Sequence, residues 1–249
     1  MLDRLKATEH AMVTRMNQLE VVTNNLANID TTGFKRDELF MNELDRKVKE
    51  LAFSKFERDT HIPYSGASVN LTQGALASTE QPLDVAISGD GFFTFETPAG
   101  EALSRDGRFT VNQEGILVTL DGYVVLGDGG PIELDLQQNK PSDLVINDQG
   151  EVMLNDAVVG RLQIVTVDAP QNLRKLGSNL FQLPDGQGNI APAENVSLRQ
   201  GFLEESNVDA VDEMVTMMEI FHFYQTGQRM IQEQDRILGK AVNEIGRVS

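Results

Sequence analysis

Groups of residues with the spacing needed to catalyse a reaction or bind a metal are scarce in this chain. The histidines are His10, His61 and His222, and none shows the HExxH spacing of a zinc helix. Because His222 lies between Phe221 and Phe223 in a helical pattern, packing or exposure explains it better than ligation. The sequence also lacks a G-x-S-x-G motif, a phosphate-binding loop and the Rossmann glycines. We therefore expect no enzyme activity, no metal and no cofactor.

Carboxylates are abundant, but the sequence singles out no acid–base pair. Asp90, Asp106, Asp121 and Asp128 each lie in a turn that contains glycine, where a structural role is the ordinary one. A glycan-binding or glycan-cleaving β protein is an alternative, since two carboxylates can act as acid and base. The chain has no tryptophan and only three tyrosines to line a sugar groove, so this alternative ranks low.

The composition limits the partners of the chain. Its formal net charge of −17 is uneven: residues 1–60 carry 10 basic and 11 acidic residues, and the remainder carries 11 and 27. Such an acidic body repels nucleic acid and anionic membranes. There are no cysteines, no apolar leader at the N-terminus and no apolar run of about 18 residues. We expect no nucleic-acid partner, no membrane span, no small-molecule substrate and no cleaved signal peptide.

Both ends of the chain show a heptad spacing of apolar residues, which predicts long coiled-coil-type helices that pair with each other or with other subunits. The predicted seam of the N-terminal helix consists of Leu5, Met12, Met16, Leu19 and Leu26. The predicted seam of the C-terminal helix consists of Met214, Met217, Phe221, Tyr224, Ile231, Leu238, Val242 and Ile245. This second helix is expected over about 208–246, with Ser206 or Asn207 as its N-cap.

Between the two ends the apolar period changes to two. In "PLDVAIS", Leu83, Val85 and Ile87 alternate with smaller or polar residues, and a series of Asp-Gly turns separates the short runs that follow. We count about ten short strands from 82 to 200. The predicted fold is α+β and mainly β: an antiparallel sandwich or irregular barrel at 81–205, a connector at 31–80, and a terminal helical domain formed by 1–30 with 206–249.

Three blocks of sequence resemble the rod and hook protein family of bacterial flagella. They are "NNLANIDTTGFKR" at 24–36, "QPLDVAISGDGFF" at 81–93 continued by "LSRDGRFTVNQEGILVTLDGYVVLG" at 103–127, and "GFLEESNVDAVDEMVTMM" at 201–218. The motif positions of the first block are Asn24, Asn25, Leu26, Ala27, Asn28, Thr32, Gly33 and Phe34. Those of the second are Pro82, Leu83, Asp84, Gly91, Phe92 and Phe93, and those of the third are Gly201, Leu203, Glu204, Ser206, Asn207 and Val208.

The resemblance implies a structural subunit of the flagellar basal-body rod. Family members build a tube in which terminal helices form the inner layer and a β domain faces outward. The implied partners are copies of the chain, other rod proteins and the flagellar type III export apparatus, and the implied location is the periplasmic rod. With one β domain and 249 residues, the chain resembles a proximal rod component most, with the distal rod protein as the close alternative. A generic coiled-coil adaptor ranks lower, because it does not require the blocks together.

Overall fold

The computed structural model describes residues 2–39, 67–134, 144–155, 157–177, 179–184 and 186–245. The fold is mainly β with antiparallel sheets, as predicted, and it also contains two helices. The chain divides into two compact units. The helical unit contains 2–27, 37–39, 67 and 209–245 of the described residues, and the β unit contains 28–36 together with the described part of 68–208. Most of the predicted connector, 40–66, lies outside the described residues.

The helical unit consists of α1 (Leu2–Ala27), the short strand β1 (Asp37–Leu39) and α2 (Ala210–Ile245). The two helices are antiparallel, since Asn25 contacts Glu213 while Met12 lies beside Gly227. Over its described residues, neither helix has a stretch long and apolar enough to span a lipid bilayer.

The N-cap predicted for the second helix is wrong. The Oδ1 of Asp209 accepts hydrogen bonds from the backbone N–H of Val211 at 2.8 Å and of Asp212 at 3.2 Å, so Asp209 caps α2. Asn207 instead uses its side chain to bind backbone within the β unit. Asn207, which local preference favoured as a cap, therefore makes tertiary hydrogen bonds instead.

The remaining strands are short. They are β2 (Ala67–Val69), β3 (Leu76–Ser78), β4 (Val85–Ser88), β5 (Phe92–Thr97), β6 (Gly100–Ser104), β7 (Phe109–Val111), β8 (Leu117–Thr119), β9 (Val124–Gly127), β10 (Gly130–Pro131), β11 (Leu144–Ile146), β12 (Glu151–Leu154), β13 (Ala157–Arg161), β14 (Ile164–Val167), β15 (Arg174–Gly177), β16 (Leu180–Gln182), β17 (Ile190–Pro192), β18 (Ser197–Gln200) and β19 (Phe202–Glu204). A turn of 3-10 helix, Pro170–Asn172, precedes β15. Strands β4 to β18 exceed the predicted number, because the apolar run at 158–167 divides between β13 and β14 and because segments without a clear apolar run, such as β6, β15 and β17, also form strands.

The main sheet has ten strands, seven of them in the order β15-β16-β6-β5-β9-β8-β7. Of the other three, β10 pairs with β9, and β14 pairs with both β5 and β17. A three-stranded sheet follows the order β11-β12-β13, and β18 pairs with β4 while β19 pairs with β3. All of these pairs are antiparallel. Within the described strands, the sheets do not close into a barrel.

Two apolar clusters form the interior of the β unit. The larger one includes Val85, Phe93, Phe95 and Phe109, all at most 4% exposed, and the smaller one includes Phe92. Consecutive residues of a strand point to opposite faces of its sheet, so Phe92 and Phe93 fill different clusters. The rings of Phe93 and Phe109 meet edge to face, 5.1 Å apart. The core therefore lies where the second sequence block predicted buried strands.

Candidate functional site

The first and third sequence blocks meet in the β unit, where residues 32–36 and 203–208 lie side by side. The backbone N–H of Gly33 donates to the carbonyl of Glu204 at 2.7 Å, and the N–H of Asn207 donates to the carbonyl of Phe34 at 3.4 Å. Residues 28–36 follow α1 in sequence, and 203–208 precede α2. This region, called the junction below, therefore joins the segment that follows α1 to the segment that precedes α2.

Gly33 makes the turn that brings the chain into the junction. Its φ is +68°, a left-handed conformation that side chains disfavour, and a Cβ at this position would lie 2.6 Å from the backbone N of Asp106. The turn directs Phe34 into a buried position, with the Nζ of Lys175 4.1 Å from the centre of its ring. Lys175 also donates to the carbonyl of Lys35 at 2.7 Å. The position therefore requires glycine on both conformational and steric grounds.

A buried ion cluster lies at the centre of the junction. The carboxylate of Glu204 accepts from Lys35 Nζ and from the backbone N–H of Gly74 at 2.9 Å through Oε1, and from Arg105 Nη1 at 3.2 Å through Oε2. Lys35 and Glu204 are at most 1% exposed, and Arg105 is 2% exposed. Lys35 Nζ also donates to the carbonyl of Thr72 at 2.7 Å. Four segments that are distant in sequence are thus joined through one carboxylate.

Burial sets the electrostatics of this cluster. Removal from water lowers the pKa of Lys35, and the nearby charge of Glu204 opposes that shift without cancelling it. Burial likewise lowers the pKa of Arg105, again opposed by Glu204. Two cations share one contacting carboxylate, so loss of a proton from Lys35 would leave a neutral Glu204–Arg105 pair. The cluster is a structural ion network, with its charges held away from solvent.

Asn207 adds an uncharged set of hydrogen bonds to the junction. Its Oδ1 accepts from the backbone N–H of Arg36 at 2.7 Å, and its Nδ2 donates to the carbonyls of Asn70 and Thr72, both at 2.9 Å. On the other side of the segment, Asn179 donates to the carbonyl of Thr32 at 2.7 Å. Side chains thereby satisfy three backbone groups of residues 32–36, namely the carbonyls of Thr32 and Lys35 and the N–H of Arg36.

The helical unit has its own buried polar contact. Asn25 and Glu213 are 1% and 3% exposed, and Asn25 Nδ2 donates to Glu213 Oε1 at 3.1 Å. The same amide donates to the carbonyl of Asp37 at 3.0 Å and accepts from the N–H of Asp37 at 2.9 Å. Asn25 therefore connects α1 to both β1 and α2.

Two stripes of residues run along α2. The inner stripe faces α1, with buried Glu213, Ile220 and Gly227 and half-buried residues between them; its members are Glu213, Met217, Ile220, Tyr224, Gly227 and Ile231. The outer stripe is apolar and between 44% and 67% exposed; its members are Val211, Met214, Val215, Met218 and Phe221. The first half of α2 thus presents apolar residues in two directions.

The structure distributes the predicted seam residues over both stripes. Met217, Tyr224 and Ile231 lie on the inner stripe, and Met214 and Phe221 lie on the outer stripe, each 48% exposed. On α1, Met12, Leu19 and Leu26 are half-buried and Met16 is 58% exposed. The side chains of Leu5, Leu238, Val242 and Ile245 lie outside what the structure describes. Contact of this seam with another subunit stays a prediction.

The other motif positions support strands and turns. The carbonyl of Asp84 accepts from the N–H of Gly201 at 2.7 Å, and the carbonyl of Pro82 accepts from Gln200 Nε2 at 2.7 Å, so the second and third blocks are also joined. Leu203 pairs with Ala77 in β3. Half-buried positions are Asn28, Thr32, Leu83 and Ser206; Gly91 and Val208 are buried; Asn24 and Ala27 are exposed.

Sequence reasoning missed the partners of Glu204 and three members of the inner stripe, Glu213, Ile220 and Gly227. Lys35 and Arg105 stand within the recognised blocks, but nothing local indicates that either is buried. Ile220 follows Met217 by three residues and precedes Tyr224 by four, so the heptad signal for the inner stripe was present. This heptad spacing was difficult to recognise because Glu213 and Gly227, at two of its positions, are not large apolar residues.

The site offers packing and hydrogen bonding rather than reaction chemistry. Among the described residues, no group of three or more His, Cys, Asp or Glu side chains is placed to hold a metal ion. In the junction, Lys35 and Arg105 contact Glu204, and Lys175 contacts the carbonyl of Lys35 and the ring of Phe34.

Family models match the three regions that the sequence blocks occupy. A model described as flagella basal body rod protein matches residues 5–35, one described as the flagellar hook protein FlgE/F/G D1 domain matches 86–154, and one described as the flagellar basal body rod FlgEFG protein C-terminal matches 199–244. The three matched regions contain Lys35, Arg105 and Glu204 respectively, with Lys35 as the last matched residue of the first region.

Full-length relatives are similar along almost the whole chain. The flagellar basal-body rod protein FlgF of Caulobacter vibrioides is 36% identical over 244 residues, 95% of each chain. FlgF of Rhizobium meliloti is 31% identical over 96% of this chain and 95% of its own. FlgG of Borreliella burgdorferi, also a flagellar basal-body rod protein, is 32% identical over 98% of each chain. The chain belongs to the family of flagellar basal-body rod proteins.

Proposed function

We propose that this chain is a structural subunit of the bacterial flagellar basal-body rod, and that it polymerises through its terminal helices into the axial tube that transmits torque and encloses the export channel. The names of its relatives, all rod proteins, support the assignment to a structural subunit rather than an enzyme. Its partners are then copies of itself and other rod components.

The observation that carries the assembly mode is the outer stripe of α2. A helix on the surface of a folded unit needs one apolar face, and α1 covers the inner stripe. Met214, Met218 and Phe221 form a second face that stays about half exposed in the single chain. Burying such side chains gains about 25 cal/mol per Å2 of apolar surface. A neighbouring subunit that covers the outer stripe supplies that gain.

Several finer assignments belong to the same proposal. Residues 1–30 with 206–249 form the assembly domain, packed in coiled-coil fashion, and 81–205 form the outer β domain. The subunit lies in the periplasmic part of the basal body, and it reaches that place through the flagellar type III apparatus. Between the rod components we favour the proximal one, with the distal protein as the alternative; the relatives include both FlgF and FlgG proteins.

Charge placed on the outer stripe tests the proposal. Met218→Glu and Phe221→Glu should abolish rod polymerisation and motility, while circular dichroism of the isolated subunit stays unchanged, because both side chains are exposed in the single chain. The matched control is Gln228→Glu, which adds the same charge at an exposed polar position of the same helix. Polymerisation of the two stripe variants at the level of the control would contradict the assembly mode.

A further inference from the structure

We propose that the buried pair Asn25–Glu213 holds residues 213–221 of α2 with the inner stripe toward α1, and so leaves the outer stripe available to a neighbouring subunit. The second half of this statement rests on the proposed function. The first half concerns the isolated helical unit alone.

Over residues 213–221 of α2, apolar content alone does not select the inner stripe. Successive residues of an α-helix are 100° apart, so rotating α2 by one residue would replace Glu213, Ile220 and Gly227 with Met214, Phe221 and Gln228. Over residues 213–221 the rotated arrangement buries a methionine and a phenylalanine in place of a carboxylate and an isoleucine, so hydrophobic burial does not favour the observed arrangement there. Further along, rotation would replace Tyr224 and Ile231 with Gln225 and Gln232, and hydrophobic burial favours the observed arrangement. A specific contact must therefore hold the start of α2 with Glu213 toward α1.

The amide of Asn25 supplies that contact. Its Oδ1 and Nδ2 are bound to the backbone N–H and carbonyl of Asp37, at 2.9 and 3.0 Å, which fixes the orientation of the amide. The second hydrogen of Nδ2 is thereby directed at α2, where it meets Glu213 Oε1 at 3.1 Å. Rotation of α2 by one residue would place Met214 opposite this buried donor. A buried donor that loses its acceptor is costly, and single polar residues of this kind specify register in coiled coils.

Gly227 favours the same rotation at the other end of the contact. A Cβ at this position would lie 3.5 Å from both Cγ and Sδ of Met12, so the helices approach closely where the inner stripe has no side chain. Rotation would bring Gln228 against Met12 instead. The orientation of the inner stripe toward α1 is thus supported by the hydrogen bond at Glu213 and by the close approach at Gly227, 14 residues apart along α2.

Disulfide trapping of the isolated subunit tests the proposal, since the chain has no cysteine of its own. The pair Met12→Cys with Gly227→Cys reports the observed rotation, and Met12→Cys with Gln228→Cys reports the rotated one. In the otherwise unchanged chain, the first pair should form its disulfide faster. Adding Asn25→Asp replaces the donor with a carboxylate oxygen opposite Glu213. The ratio of the two rates should then fall about tenfold or more, the effect of losing one hydrogen bond to a charged group.

Two further variants separate the contact from general damage to the helices. Glu213→Gln keeps an acceptor oxygen, so it should leave the ratio near that of the unchanged chain. Asn25→Asp combined with Glu213→Gln restores a donor–acceptor contact between the helices with reversed roles, but not the donor to the Asp37 carbonyl, so its ratio should exceed that of Asn25→Asp alone. An unchanged ratio in Asn25→Asp, or loss of both disulfides, would overturn the proposal. A changed ratio with undiminished rod polymerisation upholds the register assignment and overturns the role of the outer stripe in assembly.

Discussion

Replacing Glu204 with glutamine tests whether the ion cluster stabilises the β unit. Glutamine keeps the size of the side chain but removes the negative charge that contacts Lys35 and Arg105, and neither cation can recover water because they are 0% and 2% exposed. Removing one partner of a buried ion pair costs about 3–5 kcal/mol. The free energy of unfolding of a whole domain is about 5–15 kcal/mol. We therefore expect Glu204→Gln to remove a large share of the stability of the β unit.

Equilibrium urea unfolding, with hydrogen exchange of the β5 amides as the unit-specific signal, measures this loss. Asp128→Asn is the control: the Asp128–Arg161 ion pair spans 3.9 Å with both side chains more than half exposed, so its removal should cost about 0–1 kcal/mol. If Glu204→Gln costs no more than Asp128→Asn, the cluster contributes no net stability and the reasoning about buried charge is refuted.

Two further predictions concern the same junction. Burial lowers the pKa of Lys35 below its usual 10.5, so between that lowered pKa and 10.5 the unfolded chain binds more protons than the folded chain, and the free energy of unfolding should rise with pH in this window. Urea titrations at several pH values should show a smaller rise in Lys35→Met. An equal dependence of the free energy of unfolding on pH in the two proteins would contradict the shift. Gly33→Ala should lower the free energy of unfolding by on the order of 1–3 kcal/mol through its left-handed φ alone, and by more because its Cβ would contact the backbone of Asp106. Gly122 has a similar φ of +85° but open space around it, so Gly122→Ala should lower the free energy of unfolding less. Thermal unfolding of the two variants measures the difference.

The strands of the β unit were predictable because their signals are local. Alternation of apolar residues in "PLDVAIS" and the Asp-Gly turns that follow each act within a few residues. Phe92 and Phe93 could be placed on opposite faces of one strand from their adjacency alone. What these signals could not supply is the order of strands in the ten-stranded sheet, since β5 pairs with β6 but also with β9 and β14.

The ion cluster was not predictable from the residues that form it. Lys35 and Glu204 are 169 residues apart, and Arg105 and Glu204 are 99 apart. Each is a charged residue beside a turn or a strand, which is the ordinary setting of an exposed side chain. The resemblance marked the blocks in which these residues lie, but it did not indicate that a single carboxylate joins them.

The predicted helix seam shows how far a heptad pattern determines an interface. The pattern correctly indicated α1 and α2, and it included Met217, Tyr224 and Ile231 of the inner stripe. It chose Met214 and Phe221 over Glu213 and Ile220, because counting apolar residues gives a glutamate no weight. The structure instead places Glu213 beside α1, where it accepts a hydrogen bond of 3.1 Å from Asn25. Counting apolar residues therefore identifies the inner stripe where it carries Tyr224 and Ile231, and fails at the start of α2, where both stripes carry apolar residues and the inner one includes a buried polar contact.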